Sequence, residues 1–151
     1  MKWTELPEQP CLIARSVAIL GDRWTMLVLR DAFAGLRRFD QFQESLGISR
    51  TIVADRLNLL VEEGVLEKRP YQQHPPRYEY RLTSKGLDLY PILLAIFDWG
   101  RRYYPIEAGL PIIHTHKNCG HDFAPVTTCS HCGDPVTAHD VTARRGPGLY
   151  S

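Results

Sequence analysis

Four short amphipathic runs fill residues 11–63, and a glycine closes each of them. Ile13, Val17 and Leu20 share one face of the first, Cys11 to Leu20, which ends at Gly21. Asp22 has the chemistry of a cap for the second, Arg23 to Phe33, whose apolar face carries Trp24, Leu27, Val28 and Ala32 before Gly35. Phe39, Phe42 and Leu46 recur at i, i+3 and i+7 and predict a third helix, closed by Gly47, a residue suited to a left-handed turn. Ser49 can cap the fourth, which runs to Glu63. Val53, Leu57, Leu60 and Val61 line one of its sides, and Arg50, Thr51, Ala54, Asp55 and Asn58 line the other.

After Gly64 the apolar period changes to two. Val65 to Arg69 reads as a strand, and Arg77 to Leu82 alternates Tyr78, Tyr80 and Leu82 against Arg77, Glu79 and Arg81. Gln72 to Pro76 forms the turn, with Pro75 and Pro76 stiffening the return. Thr83 caps a long helix to about Tyr104, and Pro91 inside it should bend it or cost it a hydrogen bond. Residues 1–10 read as an arm. The part beyond Pro111 is polar, strand-like and turn-rich, and no internal repeat stands out. The expected fold is mainly α with a small β wing (α+β). It comprises a winged helix-turn-helix over residues 1–104, with a dimerisation helix at about 83–104, and a short Cys/His β lobe over 105–151.

Length and charge narrow this picture. A chain of 151 residues has room for one good core and a small appendage. The net charge is only +1, so contact with nucleic acid must come from a basic footprint on one face. No apolar run approaches the roughly 18–20 residues that span a bilayer. The start at Met1, Lys2 and Trp3 lacks an apolar signal region, so a cytoplasmic protein away from membranes is expected.

The small, polar outer face of the fourth helix suits a major groove about 12 Å wide. Arg50 can pair with guanine O6 and N7, and Thr51 can touch a thymine methyl group. Arg56 is better placed for an intramolecular pair or a phosphate. Lys68, Arg69, Arg77 and Arg81 put four cations in one hairpin, aimed at the sugar-phosphate or a minor groove, with Arg77 favoured beside the two prolines. Arg37 and Arg38 can add phosphate contacts. The last long helix carries more large side chains, among them Phe97, Trp99, Tyr103 and Tyr104, than a short winged-helix core can bury. A stripe of that size marks a partner surface, so a homodimer on a pseudo-palindromic site is expected, unless the C-terminal segment covers the stripe.

Three of the four cysteines cluster near the end. His116 and Cys119, then Cys129 and Cys132, space two ligands by two residues, and Gly120 and Gly133 follow. Three thiolates and one imidazole suit structural, tetrahedral zinc. His114, His121 and His131 rival His116 as the fourth ligand, and His116 leads on spacing alone. No carboxylate stands in a recognisable relation to this cluster, so an enzyme is not expected.

The stretches Gly21–Asp31, Arg37–Phe42, Gly47–Leu57, Glu63–Leu66 and Pro75–Thr83, with Lys85 and Gly86, resemble the HxlR-type bacterial transcriptional regulators, a winged-helix branch related to the MarR group. The resemblance covers roughly residues 10–103. It implies a double-stranded DNA-binding homodimer that controls a nearby promoter, with DNA contacts at Ser49, Arg50, Thr51, Arg56 and Arg77 and a dimer contact from the first helix. It also marks Cys11 as a candidate redox sensor, against the plainer expectation of a buried, small apolar residue. A small-molecule effector site remains open. The alternative reading is a winged-helix protein-interaction module that has lost DNA binding.

Overall fold

Asp22, Ser49 and Thr83 start helices for one physical reason: each offers a side-chain oxygen to amides that have no helical partner. Asp22 accepts from the Trp24 and Thr25 amides at 2.9 and 3.3 Å, Ser49 from Ile52 at 3.3 Å, and Thr83 from Gly86 at 3.1 Å. The resulting elements are α1 (Leu12–Leu20), α2 (Arg23–Phe33), α3 (Phe39–Leu46), α4 (Arg50–Glu62), β1 (Leu66–Gln73), β2 (Pro76–Leu82), α5 (Ser84–Leu87) and α6 (Tyr90–Tyr103). This computed structural model describes residues 1–149.

The chain divides into two compact units, Met1–Tyr90 and Pro91–Ser151. In the first, Val28 and Leu29 of α2, Phe42 of α3 and Val53, Leu57 and Leu60 of α4 are fully buried together with Leu66 at the foot of β1. Those α4 residues belong to the apolar face expected from the sequence, so the core fixes which side of α4 is left to solvent. Gly47, at φ 62°, closes α3 in the left-handed region and lets the chain turn into the Ser49 cap within three residues.

The hairpin is antiparallel, with Leu66 opposite Leu82 and Arg69 opposite Glu79. Its register moves between the pairs Pro70–Tyr78 and Gln72–Arg77, which leaves Tyr71 as an extra bulged residue. Thr83 ties its base to the end of α4 by donating to the carbonyls of Gly64 (2.5 Å) and Val65 (3.1 Å). The Tyr80 amide donates to the Arg37 carbonyl at 2.7 Å, fixing the hairpin beside the lead into α3. A β-carbon at Gly86 would run into the Val65 carbonyl, so only glycine permits this close approach.

Four details differ from expectation. Residues Trp3–Glu8 form a 3-10 helix against α1 instead of an arm. The hairpin strands are longer than predicted, because pairing continues through the bulge to Gln73 and Pro76. The long helix predicted after Thr83 is two helices, broken at Asp88 and Leu89. Pro91 has no amide to donate to Leu87, and it falls in the first turn of α6, where no donor is needed. Nearly all of α6 falls in the second compact unit, and α5 falls in the first. Finally, the C-terminal lobe holds two isolated bridges, Thr115–Asp122 and Thr128–Pro135, and no strands among its described residues.

Candidate nucleic-acid interface

Burying Val53, Leu57 and Leu60 turns Arg50, Thr51, Asp55 and Asn58 of α4 outward, and all four are exposed. Arg50 is not loose on that face. Its guanidinium lies over the Phe39 ring, 4.7 Å from the centroid, and Nη1 reaches Gln43 Oε1 at 3.5 Å. Such stacking reduces the rotamer freedom lost on contact with a base. Phe39 was expected only as part of an apolar stripe, and its use as a platform could have been suspected from its place at the start of α3. Ser49 spends its hydroxyl on the Ile52 amide, which leaves the backbone of the first turn to meet an anion.

The hairpin separates its cations into two kinds. Glu67, Arg69, Glu79 and Arg81 share one face. Arg69 pairs with Glu67 at 2.9 Å and Arg81 with Glu79 at 2.6 Å. The Glu67 carboxylate, by hydrogen bond and charge, holds the Arg69 guanidinium above its ordinary range. These two arginines are neutralised at home, which the count of four wing cations did not foresee. The i, i+2 alternation of Glu67 with Arg69 and of Glu79 with Arg81 was the signal. Arg77 is exposed at the tip, and its side chain makes no ion pair or hydrogen bond among the described residues. Lys68 lies 4.6 Å from the centre of the Tyr78 ring. Arg38 stacks at 4.6 Å on Tyr71, the bulged residue, so the lead into α3 and the hairpin share one cationic edge.

Arg56 points elsewhere. It is half-buried, and Nη1 lies 3.7 Å from Asp22 Oδ1, the same oxygen that caps α2. The contact joins the outward helix to the start of α2 and gives Arg56 a positioning role, as its sequence place allowed. Asp22→Ala should lower stability by about 1–2 kcal/mol through the lost cap. A urea denaturation midpoint unchanged by this substitution would show that the cap is dispensable.

These parts, an outward helix capped by Ser49, a short glycine turn before it and a cationic hairpin beside it, define a winged helix-turn-helix. The model of the HxlR-like helix-turn-helix family matches residues 19–108. An uncharacterized HTH-type transcriptional regulator of Mycobacterium tuberculosis is 43% identical over 137 residues, covering 91% of this chain and 87% of its own. The crystal structure of PA1607, a candidate transcription factor, has a TM-score of 0.81 at 37% identity and covers 93% of this chain and 98% of that one. The redox regulator HypR in its reduced form has a TM-score of 0.57 at 27% identity, over 62% of this chain and 95% of its own. The chain belongs to the HxlR-like helix-turn-helix family and is a DNA-binding transcriptional regulator.

Cys11 is exposed, not buried as the plainer expectation had it, and precedes the first turn of α1. Arg15, one turn on, donates its Nε–H to the Gln9 carbonyl at 2.8 Å. In the second unit His116 Nδ1 lies 3.5 Å from Cys119 Sγ. Cys129 and Cys132 form the other pair. The Cys132 amide first, then the His131 amide and the Cys132 thiol, hold the Cys129 thiol below its ordinary range. No three His, Cys, Asp or Glu side chains gather at one point among the described residues, so the four predicted ligands stand as two pairs. No helix of the described residues is long and apolar enough to cross a membrane.

Proposed function

We propose that this regulator works in the cytoplasm as a homodimer on a pseudo-palindromic operator. Arg50 and Thr51 read base edges, the first turn of α4 meets a phosphate, and Arg77, Lys68 and Arg38 hold the flanking backbone or minor groove. The observation that carries this reading is the partition of cations. The wing cations with internal carboxylate partners, Arg69 and Arg81, sit on one hairpin face, while Arg50, Arg38 and Lys68 are stacked on rings and the Arg77 side chain is free.

Dimerisation rests on α6. Ile92, Ile96, Trp99 and Tyr103 follow i, i+4, i+7 and i+11, and each is 45–61% exposed. A stripe of this kind is unfavourable in water and suits a second copy of the same helix. Within the first unit, Leu12 and Ile13 of α1, 80% and 76% exposed, form a separate apolar patch that suits a partner contact of its own. Within the second unit, Phe97, Tyr104, Ile106, Leu110 and Pro111 line an open recess of about 320 Å³, which suits a small apolar effector. The exposed thiol of Cys11 is a sensor candidate, in keeping with the redox regulation named for HypR. The C-terminal segment takes structural zinc. Its two pairs supply the soft thiolate and imidazole donors zinc prefers, and so small and polar a segment benefits from a staple.

Genomic fragments captured by the intact protein and sequenced should share an inverted repeat with half-sites about one helical turn apart. Fragments with no common motif, or with a single unrepeated half-site, would overturn the dimeric-operator reading.

A further inference from the structure

The two Cys/His pairs sit in the same backbone device used twice. The His116 amide donates to the His121 carbonyl at 2.9 Å, and the Gly120 amide donates back to His116 at 2.7 Å. Cys129 and Asp134 make the first of these bonds again at 2.8 Å, and Gly133 and Cys129 the second at 2.8 Å. The outer rungs also correspond: Phe123 donates to His114 at 3.0 Å, and Val136 to Thr127 at 2.9 Å. The bridge Thr115–Asp122 matches Thr128–Pro135, and Gly120 and Gly133 share a left-handed φ of 72° and 79°. The segment is therefore an internal repeat, although none stood out in its sequence. Thr115, Cys119 and Gly120 recur as Thr128, Cys132 and Gly133, while the other side chains of the two turns differ.

The repeat assigns the ligands. Cys119 corresponds to Cys132, and His116 stands where the second turn has Cys129. The rival histidines fall at positions whose counterparts cannot ligate in the same way: His114 matches Thr127, His121 matches Asp134 only after the turn has closed, and His131 matches Asn118 at its crown. His114 is moreover packed edge-on against Phe97, with centroids 4.8 Å apart. A tetrahedral ion with the usual zinc–sulfur and zinc–nitrogen bonds sets its sulfur and nitrogen ligands about 3.6 Å apart. The observed separation of His116 Nδ1 and Cys119 Sγ is 3.5 Å.

We infer that the two turns are the halves of one tetrahedral zinc site with ligands His116, Cys119, Cys129 and Cys132, and that the ion draws one turn onto the other. This deepens the zinc reading above and rests on it. Only Ala124 to Val126 separate the outer rungs at Phe123 and Thr127, and the four steps between those rungs span at most roughly 14 Å, so the halves cannot stray far.

Cobalt(II) titration of the full-length protein tests the assignment, because tetrahedral thiolate sites give intense visible bands and a thiolate-to-metal charge-transfer band. One equivalent per chain is expected. His116→Cys should keep tetrahedral binding and raise the charge-transfer intensity by about a third, as the fourth thiolate enters a position the repeat already builds for cysteine. His116→Ala should lose at least tenfold in affinity, whereas His121→Ala and His131→Ala should bind as the parent does. Full binding by His116→Ala, or its loss in His121→Ala or His131→Ala, would overturn the ligand assignment while leaving a zinc lobe in place. No tetrahedral spectrum in the parent protein, with no zinc found by elemental analysis, would overturn the zinc reading itself.

Discussion

Arg50→Ala is expected to weaken operator binding by about 30-fold or more, the loss of one bidentate base contact per half-site, each worth roughly 1–3 kcal/mol, and to relax preference at a single position of each half-site. The guanidinium is pre-set by the Phe39 ring and Gln43, so its removal forfeits a contact whose ordering cost had already been met within the fold. Arg77→Ala should behave differently. An unpaired cation at the hairpin tip contributes charge, not sequence, so affinity should fall on all duplexes alike. The slope of log K against log salt should shrink by about two for a dimer, one released counterion per protomer. Arg69→Ala, on the neutralised face, serves as the control and should change neither quantity appreciably. Titrations of the captured fragment at several salt concentrations measure all three. If Arg50→Ala and Arg77→Ala both bind as the parent does, neither side chain contacts DNA, and another surface of the chain carries the binding.

Ile96→Glu combined with Trp99→Glu is expected to convert the dimer to monomer and to cost roughly 100- to 10,000-fold in operator affinity. Both residues lie in the half-exposed stripe of α6, where two like charges brought against their own symmetry mates would be left without partners. Neither belongs to the buried core of the first unit, so the helix-turn-helix itself should keep its fold. The size of the loss follows from effective concentration: once one half-site is held, a linked second reading head binds almost intramolecularly. Sedimentation equilibrium reads the oligomeric state, and circular dichroism reads retained helix. A parent protein that sediments as a monomer, or a double variant that remains dimeric, would remove α6 from the interface.

Much of the reading head was legible because its information is local. A cap needs one side-chain oxygen beside two or three amides, and a left-handed turn needs a glycine. Asp22, Ser49, Thr83 and Gly47 meet these needs within four residues of chain, so helix ends could be read directly. The buried face of α4 followed from periodicity alone.

What escaped depends on neighbours across the fold or on competing local effects. The fate of each wing cation turned on whether a glutamate lay on the same hairpin face, and this halved the free charge. Pro91 was seen as a bend, but the chain used it to begin a new helix, since a missing amide costs nothing in a first turn. The repeated turn at His116 and Cys129 was visible in sequence only as a shared ligand spacing and glycine, because the matching rungs around them are made by backbone groups. In the winged helix-turn-helix, the chain's sequence determined which segments are helices, where they stop and which outward positions carry Arg50, Thr51 and Arg77. Tertiary structure decided how the available basic residues are oriented, because Arg38 meets Tyr71 and Arg50 meets Phe39 only after the hairpin and α4 pack beside α3, whereas Arg69 and Arg81 are neutralised by glutamates two residues away on their own strands.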